Sequence, residues 1–563
     1  MKLSNIIKFF FNQIEKKHWA FVILNYFLVL FITFSDIFFF SILYLLLNKQ
    51  SDSNLINKFL DYLELVSNNF FLDLDLTKVL IFSLIFLLLF KNILNILQNY
   101  FYSKFIHNIT LNKSSKILSI YFSLDFESFI KKDSSMYIKQ VIRDVESAFI
   151  GIFGLVISFL GEITYIIILV FYLNYLVSLN ITIEISILFT ILLFVIYFLF
   201  RSSDKLGKLR ALNEIKVFKT LSDTLNIFRE LKLNNQAISF IERYKFFLNN
   251  YYMSKIYAGL INISPKFILE FFAILLFFFL YKESNLDINE FFLKFSVLAL
   301  AMLRLIPSFA RSSYYITSIY YNFHSIEFIK DDLNRNFKSS PPMLERESVD
   351  NIKLSNISLN YYSNNNSNSF KIFDNFNLSL KKNNIYGIYG SSGSGKTSLI
   401  NILIGFVKPQ KGIIFYNNKV QAFNQISNNY NISFLPQNPT ILDENIIINS
   451  TLRFSNSSEE IKKIKLYLKK FNLNKFLNYK YINSNSIQSI KNMSGGEKQR
   501  IAIIRSIVNA PDLLILDEPT SSLDDKNSEI IFNFLKDFKK NRIIIVTSHK
   551  EKEKKFFDKI INL

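Results

Sequence analysis

The chain has 563 residues, half of them hydrophobic, with Lys+Arg 65 against Asp+Glu 45 for a formal charge of +20. Its mean hydropathy of +0.23 is high for a soluble chain of about three to four domain equivalents, so apolar residues must be concentrated in one part of it. Cys 0 excludes disulfides, thiolate metal sites and a cysteine nucleophile, and Gly 13 with Pro 9 against Phe 62 excludes a collagen-like or Pro/Gly-rich linker protein.

A membrane protein with a soluble part is expected. The abundance of Lys, Asn, Ile and Phe fits codon choice in an AT-rich genome, which by itself accounts for much of the basic excess. Attraction to anionic headgroups is the functional alternative, and membrane lipids are expected partners. Basic residues do not cluster as a nucleic-acid face would require, so no nucleic-acid partner is expected.

Six apolar segments exceed the length of about 20 residues that a helix needs to cross a bilayer. In chain order they run Trp19–Leu47, Val79–Tyr102, Ile150–Leu173, Val177–Phe200, Ile256–Tyr281 and Phe291–Tyr321. The third and fourth are separated by only a few residues around Asn174, which predicts a tight helical hairpin. The first is too long for a signal peptide and no cleavage site precedes it. Between segments two and three lie Lys104, Lys113, Lys116, Lys131, Lys132, Lys139 and Arg143; the loop between four and five is equally basic, from Arg201 to Lys255. The loop after segment one instead carries Asp52, Asp61, Glu64, Asp73 and Asp75, and the loop after three has no Lys or Arg. By the positive-inside rule both basic loops and both termini are cytoplasmic. The expected setting is the bacterial cytoplasmic (inner) membrane, crossed several times.

Residues 1–330 therefore form the membrane domain. Residues 331–351, with Ser339-Ser340-Pro341-Pro342, read as a linker. From 352 to 563 short apolar runs (Ile385–Tyr389, Ile413–Tyr416, Leu513–Leu516, Ile543–Val546) alternate with helical stretches, which predicts an α/β domain with buried strands. The Asn/Ser-rich Tyr361–Ser369 is expected to be a solvated loop.

Gly390-Ser391-Ser392-Gly393-Ser394-Gly395-Lys396-Thr397 fits the phosphate-binding loop in full, between an apolar strand and a helix over Ser398–Gly405. Glycines let backbone N–H groups close around phosphates, and the helix N-terminus adds its positive end. Lys396 supplies a cation to the phosphates and Thr397 a hydroxyl to Mg²⁺. A chance Gly-rich turn would lack this strand–loop–helix context. Downstream, Leu513-Leu514-Ile515-Leu516-Asp517-Glu518 is an apolar strand ending in an acidic pair. Asp517 is placed to hold the metal through water, and Glu518 to orient or deprotonate an attacking water. The implied cofactors are ATP and Mg²⁺.

Between these motifs stands Met493-Ser494-Gly495-Gly496-Glu497-Lys498-Gln499-Arg500. Here the chain resembles the ATP-binding cassette (ABC) family, whose hallmark is Leu-Ser-Gly-Gly-Gln; Met493 and Glu497 are departures from it. The resemblance implies that Ser494, Gly495, Gly496 and Glu497 meet ATP held by the phosphate loop, Ser398 included, of a second subunit. It also implies that Tyr361 stacks on adenine, with Tyr362 the competing choice. By the same resemblance Gln437 senses Mg²⁺, Ser522-Leu523-Asp524 crosses the dimer interface, and His549 touches the γ-phosphate. The segment Ser486–Asn492 departs from the Gly-Glu-x-Gly element that exporters often carry there.

Six helices followed by one cassette resemble the ABC exporters. The expected fold is multidomain: an all-α six-helix transmembrane domain of the ABC exporter type, then an α/β P-loop cassette. Short coupling helices are expected near Leu124–Ile130 and Thr220–Ile227. One cassette holds half of each ATP site, so a homodimer is expected, or a heterodimer with another chain. A channel would more often lose the glutamate that Glu518 retains. Within the exporters, Ser264–Glu270, Leu303–Arg311, Asp36 and Glu162 resemble the PglK-type flippases of lipid-linked oligosaccharides. The alternatives are a lipid A–type flippase or a multidrug or peptide exporter. Arg304 and Arg311, two turns apart on one face of segment six, are the candidate ligands for the pyrophosphate of an anionic lipid-linked substrate. Ion pairing with Glu162, Asp36 or Glu270 is the bland alternative, as is a Lys266–Glu270 pair.

Overall fold

The computed structural model describes residues 9–10, 13, 15–47, 76–177, 180–283, 288–335, 346–362, 369–391, 393–478 and 493–563. The chain divides into two compact units, Met1–Ser123 with Lys132–Phe337, and Leu124–Lys131 with Lys338–Leu563. The acidic loop at 51–75, most of the linker and Ser486–Asn492 lie outside the described residues.

The first unit is built of long helices. They are α1 (Trp19–Leu47), α2 (Leu76–Phe122), α4 (residues 134–177), α5 (Asn180–Asn226), α7 (Ala237–Glu283) and α8 (Ile288–Asn334), with short α3 (Phe126–Ile130) and α6 (Phe228–Leu233) between them. Helix α3 belongs to the second unit. Four of the long helices have 47 residues, about 70 Å at 1.5 Å per residue, more than twice the thickness of a bilayer core of about 30 Å. The apolar stretch of each gives way to polar helix formers rather than to breakers, so the helix continues past the expected span. Among the described residues four helices are long and apolar enough to cross a membrane: α1, α2, α4 and α7. Large side chains such as Phe82, Phe86 and Ile274 point outward and are exposed, as on a surface that meets lipid.

Three sequence expectations move. Asn174 lies inside α4, which runs to Val177, and α5 begins at Asn180; residues 178–179 lie outside the described residues. Thr220–Ile227 is not a separate helix, because α5 runs on to Asn226; within it Thr220 and Thr224 donate to the carbonyls of Lys216 and Thr220 at 2.6 Å each. The short helix there is α6, after which Asn235 takes a left-handed φ of 53°. Helix α8 extends to Asn334, into the start of the expected linker 331–351, and the first strand begins at Asn351.

Helices α5 and α8 touch through their backbones. A Cβ on Gly207 would lie 2.3 Å from the Tyr321 carbonyl oxygen, so only glycine permits this approach. One turn along, buried Arg210 donates to Asn322 Oδ1 at 2.9 Å and Ser325 Oγ at 2.7 Å, which satisfies two of its three nitrogens and offsets part of the cost of burying the charge.

The second unit is an α/β cassette. Strands β1 (Asn351–Tyr362), β2 (Ser369–Lys381), β4 (Lys411–Tyr416) and β5 (Lys419–Val420) form an antiparallel sheet in the order β2-β1-β4-β5. Strands β3 (Asn384–Tyr389), β6 (Ile432–Leu435), β7 (Leu513–Asp517), β8 (Ile543–Thr547) and β9 (Lys559–Asn562) form a parallel sheet in the order β6-β7-β8-β3-β9. Every residue of β8 is buried, as expected of a parallel strand covered on both faces. Tyr361, Tyr362 and Ser369 belong to β1 and β2 rather than to a loop, and 363–368 lie outside the described residues. In the same unit Asp125 caps α3 by accepting from the Ser128 N–H at 3.1 Å, and Phe126 stacks on Phe406 with centroids 4.8 Å apart.

Candidate functional site

Adjacent parallel strands bring the motifs to one edge. Thr547, at the end of β8, pairs with Ile388 of β3 on one side and with Asp517 of β7 on the other. The phosphate loop, the acidic pair and His549 therefore leave the carboxyl ends of neighbouring strands, where open α/β sheets bind ligands.

The loop after β3 turns sharply, with Gly393 at φ 84° and Gly395 at φ 100°. A Cβ on Gly395 would lie 2.6 Å from Ile372 Cγ2, so glycine is required there for both conformation and space. Helix α9 (Lys396–Leu403) starts at Lys396, two residues before the expected Ser398, and ends before Gly405, whose φ of 80° stops it. Lys396 Nζ donates to the carbonyls of Gly390 at 2.8 Å and Ser391 at 3.1 Å. Among the described residues Ser394 Oγ is buried without a partner, and Thr397 sits exposed in the first turn. Ser392 lies outside the described residues. Tyr361 is 44% exposed, which leaves its ring free to stack, and its hydroxyl lies 3.5 Å from Ser398 Oγ; the side chain of Tyr362 lies outside the described residues.

Glu518 is held from both sides. Gln437 Nε2 donates to one carboxylate oxygen at 2.9 Å, and His549 Nε2 lies 3.0 Å from the other. Its backbone is left-handed, φ 47°, an uncommon conformation for a non-glycine residue. Thr547 Oγ1 fixes it there, accepting from the Glu518 N–H at 2.9 Å while donating to Asp517 Oδ1 at 2.6 Å. Burial pushes the Asp517 carboxyl above its ordinary pKa, and the neighbouring Glu518 charge adds to the rise.

Sequence reasoning missed Thr547 and Glu553. Glu553 is only 4% exposed, accepts from Thr520 Oγ1 at 2.6 Å and from Ser548 Oγ, and so ties the segment after Glu518 to the one that carries His549. No motif marks it; the only signal is an acidic residue four places after the histidine.

Ser494 caps α12 (Gly495–Ile507), which follows the short α10 (Ile446–Thr451) and α11 (Ser458–Lys470) and precedes α13 (Asp525–Phe538). Its Oγ accepts from the Glu497 N–H at 3.3 Å, and the Glu497 carboxylate accepts from the Ser494 N–H at 3.0 Å, a closed capping box. Burial works to raise the Glu497 pKa, but Lys475, the Ser494 N–H and Arg500 together hold it below the ordinary value. The carboxylate of Glu497, expected at the phosphates, is instead engaged by its own helix start and by Lys475. A Cβ on Gly496 would lie 3.1 Å from the Ser522 carbonyl oxygen, which sets Ser522-Leu523 beside the signature glycines.

The first unit contains a cavity of about 590 Å³ whose wall includes Asp36, Lys91, Glu162, Arg304, Pro307 and Arg311. Asp36 pairs with Lys91 and accepts from Tyr165 OH at 2.9 Å. Glu162 pairs with Arg311 and accepts from Ser308 Oγ. Lys266 and Glu270 pair with each other at 3.8 Å, both exposed. Arg304 has no hydrogen-bond or ion-pair partner among the described residues; its guanidinium lies 5.9 Å from the Phe39 ring centre. Among the described residues the ion pairs leave Arg304 of the wall without a carboxylate.

A phosphate loop, an acidic strand end and a signature helix on this sheet define a P-loop nucleotide hydrolase of the cassette type, joined to a membrane-type helical domain. A profile described as ABC transporter matches residues 373–521. The lipoprotein-releasing system ATP-binding protein LolD of Buchnera aphidicola is 36% identical over 193 residues, 32% of this chain and 81% of that protein. A probable ABC transporter ATP-binding/permease protein of Haemophilus influenzae is 32% identical over 199 residues, 34% of this chain but only 35% of that protein. A solved bacterial Atm1-family ABC exporter with ATP bound shares the fold at a TM-score of 0.73 and 16% identity, over 97% of this chain and 93% of that one. The chain belongs to the ABC transporter family. It combines an exporter-type membrane fold with an ATPase cassette that uses ATP and Mg²⁺.

The residues present fit that cofactor. The unpartnered Ser394 Oγ and the glycine cradle suit phosphate oxygens, and Thr397, Asp517 and Gln437 offer the hard oxygen donors that Mg²⁺ prefers.

Proposed function

We propose that the protein is a dimeric, ATP-driven flippase of a lipid-linked oligosaccharide or a related polysaccharide–lipid precursor. On this reading residues 1–330 cross the bacterial inner membrane six times, 331–351 link, and the cassette 352–563 lies in the cytoplasm with both termini. Four apolar helices and the exporter fold support a multi-pass arrangement.

In the nucleotide site Tyr361 stacks on adenine. Lys396 exchanges the carbonyls of Gly390 and Ser391 for the β- and γ-phosphates, and the N–H groups of Gly393–Thr397 close around them. Thr397, Asp517 and Gln437 would hold Mg²⁺, which would supply positive charge to the phosphates. Glu518 orients the attacking water and takes its proton, while His549 contacts the γ-phosphate. Ser494, Gly495 and Gly496 of a second copy complete the site, their helix N-terminus facing the phosphates. Closure of the cassettes reaches the membrane helices through α3, whose Phe126 stacks on Phe406.

The observation that carries the cargo assignment is Arg304, an unmatched cation in the wall of a polar cavity among apolar helices. Charges in such a setting are expensive and mark substrate paths, and a guanidinium matches phosphate oxygens bidentately. Arg311, already paired with Glu162, contributes to the same anion site as the ion pair opens. The test is ATPase stimulation in proteoliposomes by a polyprenyl diphosphate carrying a disaccharide. Arg304→Gln is expected to raise the half-stimulating concentration at least ~10-fold, and Arg304→Gln/Arg311→Gln to abolish the stimulation. Unchanged stimulation in the folded double variant rejects the cargo assignment.

A further inference from the structure

Helix α2 carries Asn92, Asn95, Gln98 and Asn99 inside its apolar stretch, and all four line the cavity. Steps of three and four residues keep such side chains on one side of a helix. The intervening Ile93 and Ile96 are exposed on the other side. The polar ladder ends at Tyr102, whose hydroxyl accepts from Ser158 Oγ at 3.1 Å. An amide left without partners in hydrocarbon costs several kcal/mol, so its place is the cavity.

Two of the four amides are already engaged. Gln98 Nε2 donates to Asn25 Oδ1 at 3.1 Å, and Asn99 Nδ2 donates to the Asn95 carbonyl at 2.9 Å. The side chains of Asn92 and Asn95 make no hydrogen bond among the described residues. An amide offers donors and an acceptor at once, as a hydroxyl does, and carries no net charge. A phosphate can use only the donors of such a ladder and an apolar cargo neither function, whereas a polyol matches both the donors and the acceptors. The volume, about 590 Å³, lies within the ordinary range of ligand sites, ~300–1,000 Å³.

We infer that Asn92 and Asn95 form a sugar-recognition subsite, hydrogen-bonding the hydroxyls of the cargo's first sugars while Arg304 holds the adjoining phosphate. This rests on the cavity being the cargo site. The site then reads two chemistries side by side, and selects a glycosylated lipid anion over the same lipid anion without its sugars.

The experiment compares two lipids in proteoliposomes, a polyprenyl diphosphate bearing a disaccharide and the same polyprenyl diphosphate without sugar. The variants are Asn92→Leu/Asn95→Leu and the milder Asn92→Ala/Asn95→Ala, the latter standing in where leucine prevents folding, with melting temperature as the folding check. The wild type is expected to be stimulated at lower concentrations of the glycosylated lipid. In the variants the half-stimulating concentration of that lipid is expected to rise about tenfold and that of the bare lipid to stay within about twofold. An equal shift for both lipids, or a shift for neither, overturns the subsite. A wild type that responds equally to both overturns it while leaving the lipid-anion reading in place. A wild type that responds to neither overturns both.

Discussion

The two halves of the chain hold their charged groups in different ways. In the cassette, Glu518 is reached by Gln437 and His549 at 2.9 and 3.0 Å, neutral or titratable partners that position a carboxylate without cancelling it. In the membrane half the carboxylates of Asp36 and Glu162 each face a full cation, Lys91 and Arg311, while Arg304 of the same cavity wall has no carboxylate partner among the described residues. The contrast follows from the solvent. At the edge of the cassette sheet water is at hand, and a free carboxylate is affordable and useful as a base. Among apolar helices an unmatched charge is expensive and points to a binding site. On the proposed reading, function sits at the carboxylate with soft restraints in one half and at the unmatched cation in the other.

The largest effect that sharpens this comparison is at Glu518. Glu518→Gln preserves shape and the contact to Gln437 but removes basicity, so ATP turnover should fall at least ~100-fold with ATP still bound. Lys396→Ala should instead weaken ATP binding itself, measured with a fluorescent nucleotide. If both variants failed alike in binding, the division between a phosphate-holding cation and a catalytic carboxylate would be wrong.

A smaller effect is expected one layer out. Glu553 touches neither nucleotide nor water on this account but holds Thr520 and Ser548 together. Glu553→Gln should lower kcat by roughly threefold to tenfold with KM within about twofold, and Glu553→Asp should recover part of the loss. An unchanged kcat, or a loss confined to melting temperature, would reduce Glu553 to a packing role.

The smallest effect is one of pH. Asp517 is raised by burial and by the Glu518 charge, so the folded, metal-free cassette keeps this proton to a higher pH than the unfolded chain does. That contribution to stability is fully present below the unfolded pKa and is lost as pH rises through the higher folded value. Mg²⁺ needs the carboxylate, so metal binding releases a proton in this window. The Mg²⁺ concentration that half-saturates nucleotide binding should therefore begin to rise, on acidification, above the ordinary aspartate range. Asp517→Asn should weaken binding and flatten that pH dependence; a wild-type profile already flat there would contradict the assignment.

Local chemistry was legible in the sequence and spatial chemistry was not. The phosphate loop is eight consecutive residues whose flanking strand, β3, begins one residue from its expected start, because a loop that wraps phosphates must be contiguous. Asp517, Glu518 and His549 follow for the same reason, each ending an apolar strand. Thr547 and Glu553 act across strands and loops 30 or so residues apart, and nothing in their neighbours marks them. Helix ends were misjudged where apolar character stops but helix-forming residues continue, as at Thr220–Ile227. In the membrane half Arg304 and Arg311 stood out as charges in an apolar run. Their division into a free and a paired cation depends on Glu162, 149 positions from Arg311, and no spacing rule reaches that far.

The central claim is that hydrolysis at Glu518 drives a lipid anion through the cavity that Arg304 marks. Its most direct test is the movement of a fluorescent disaccharide-bearing polyprenyl diphosphate across proteoliposomes, read by quenching from one side. The account predicts movement by the wild type with ATP and Mg²⁺, and none with a non-hydrolysable analogue or with Glu518→Gln. Movement that continues without hydrolysis, or vigorous ATP turnover with the lipid left in place, would contradict it.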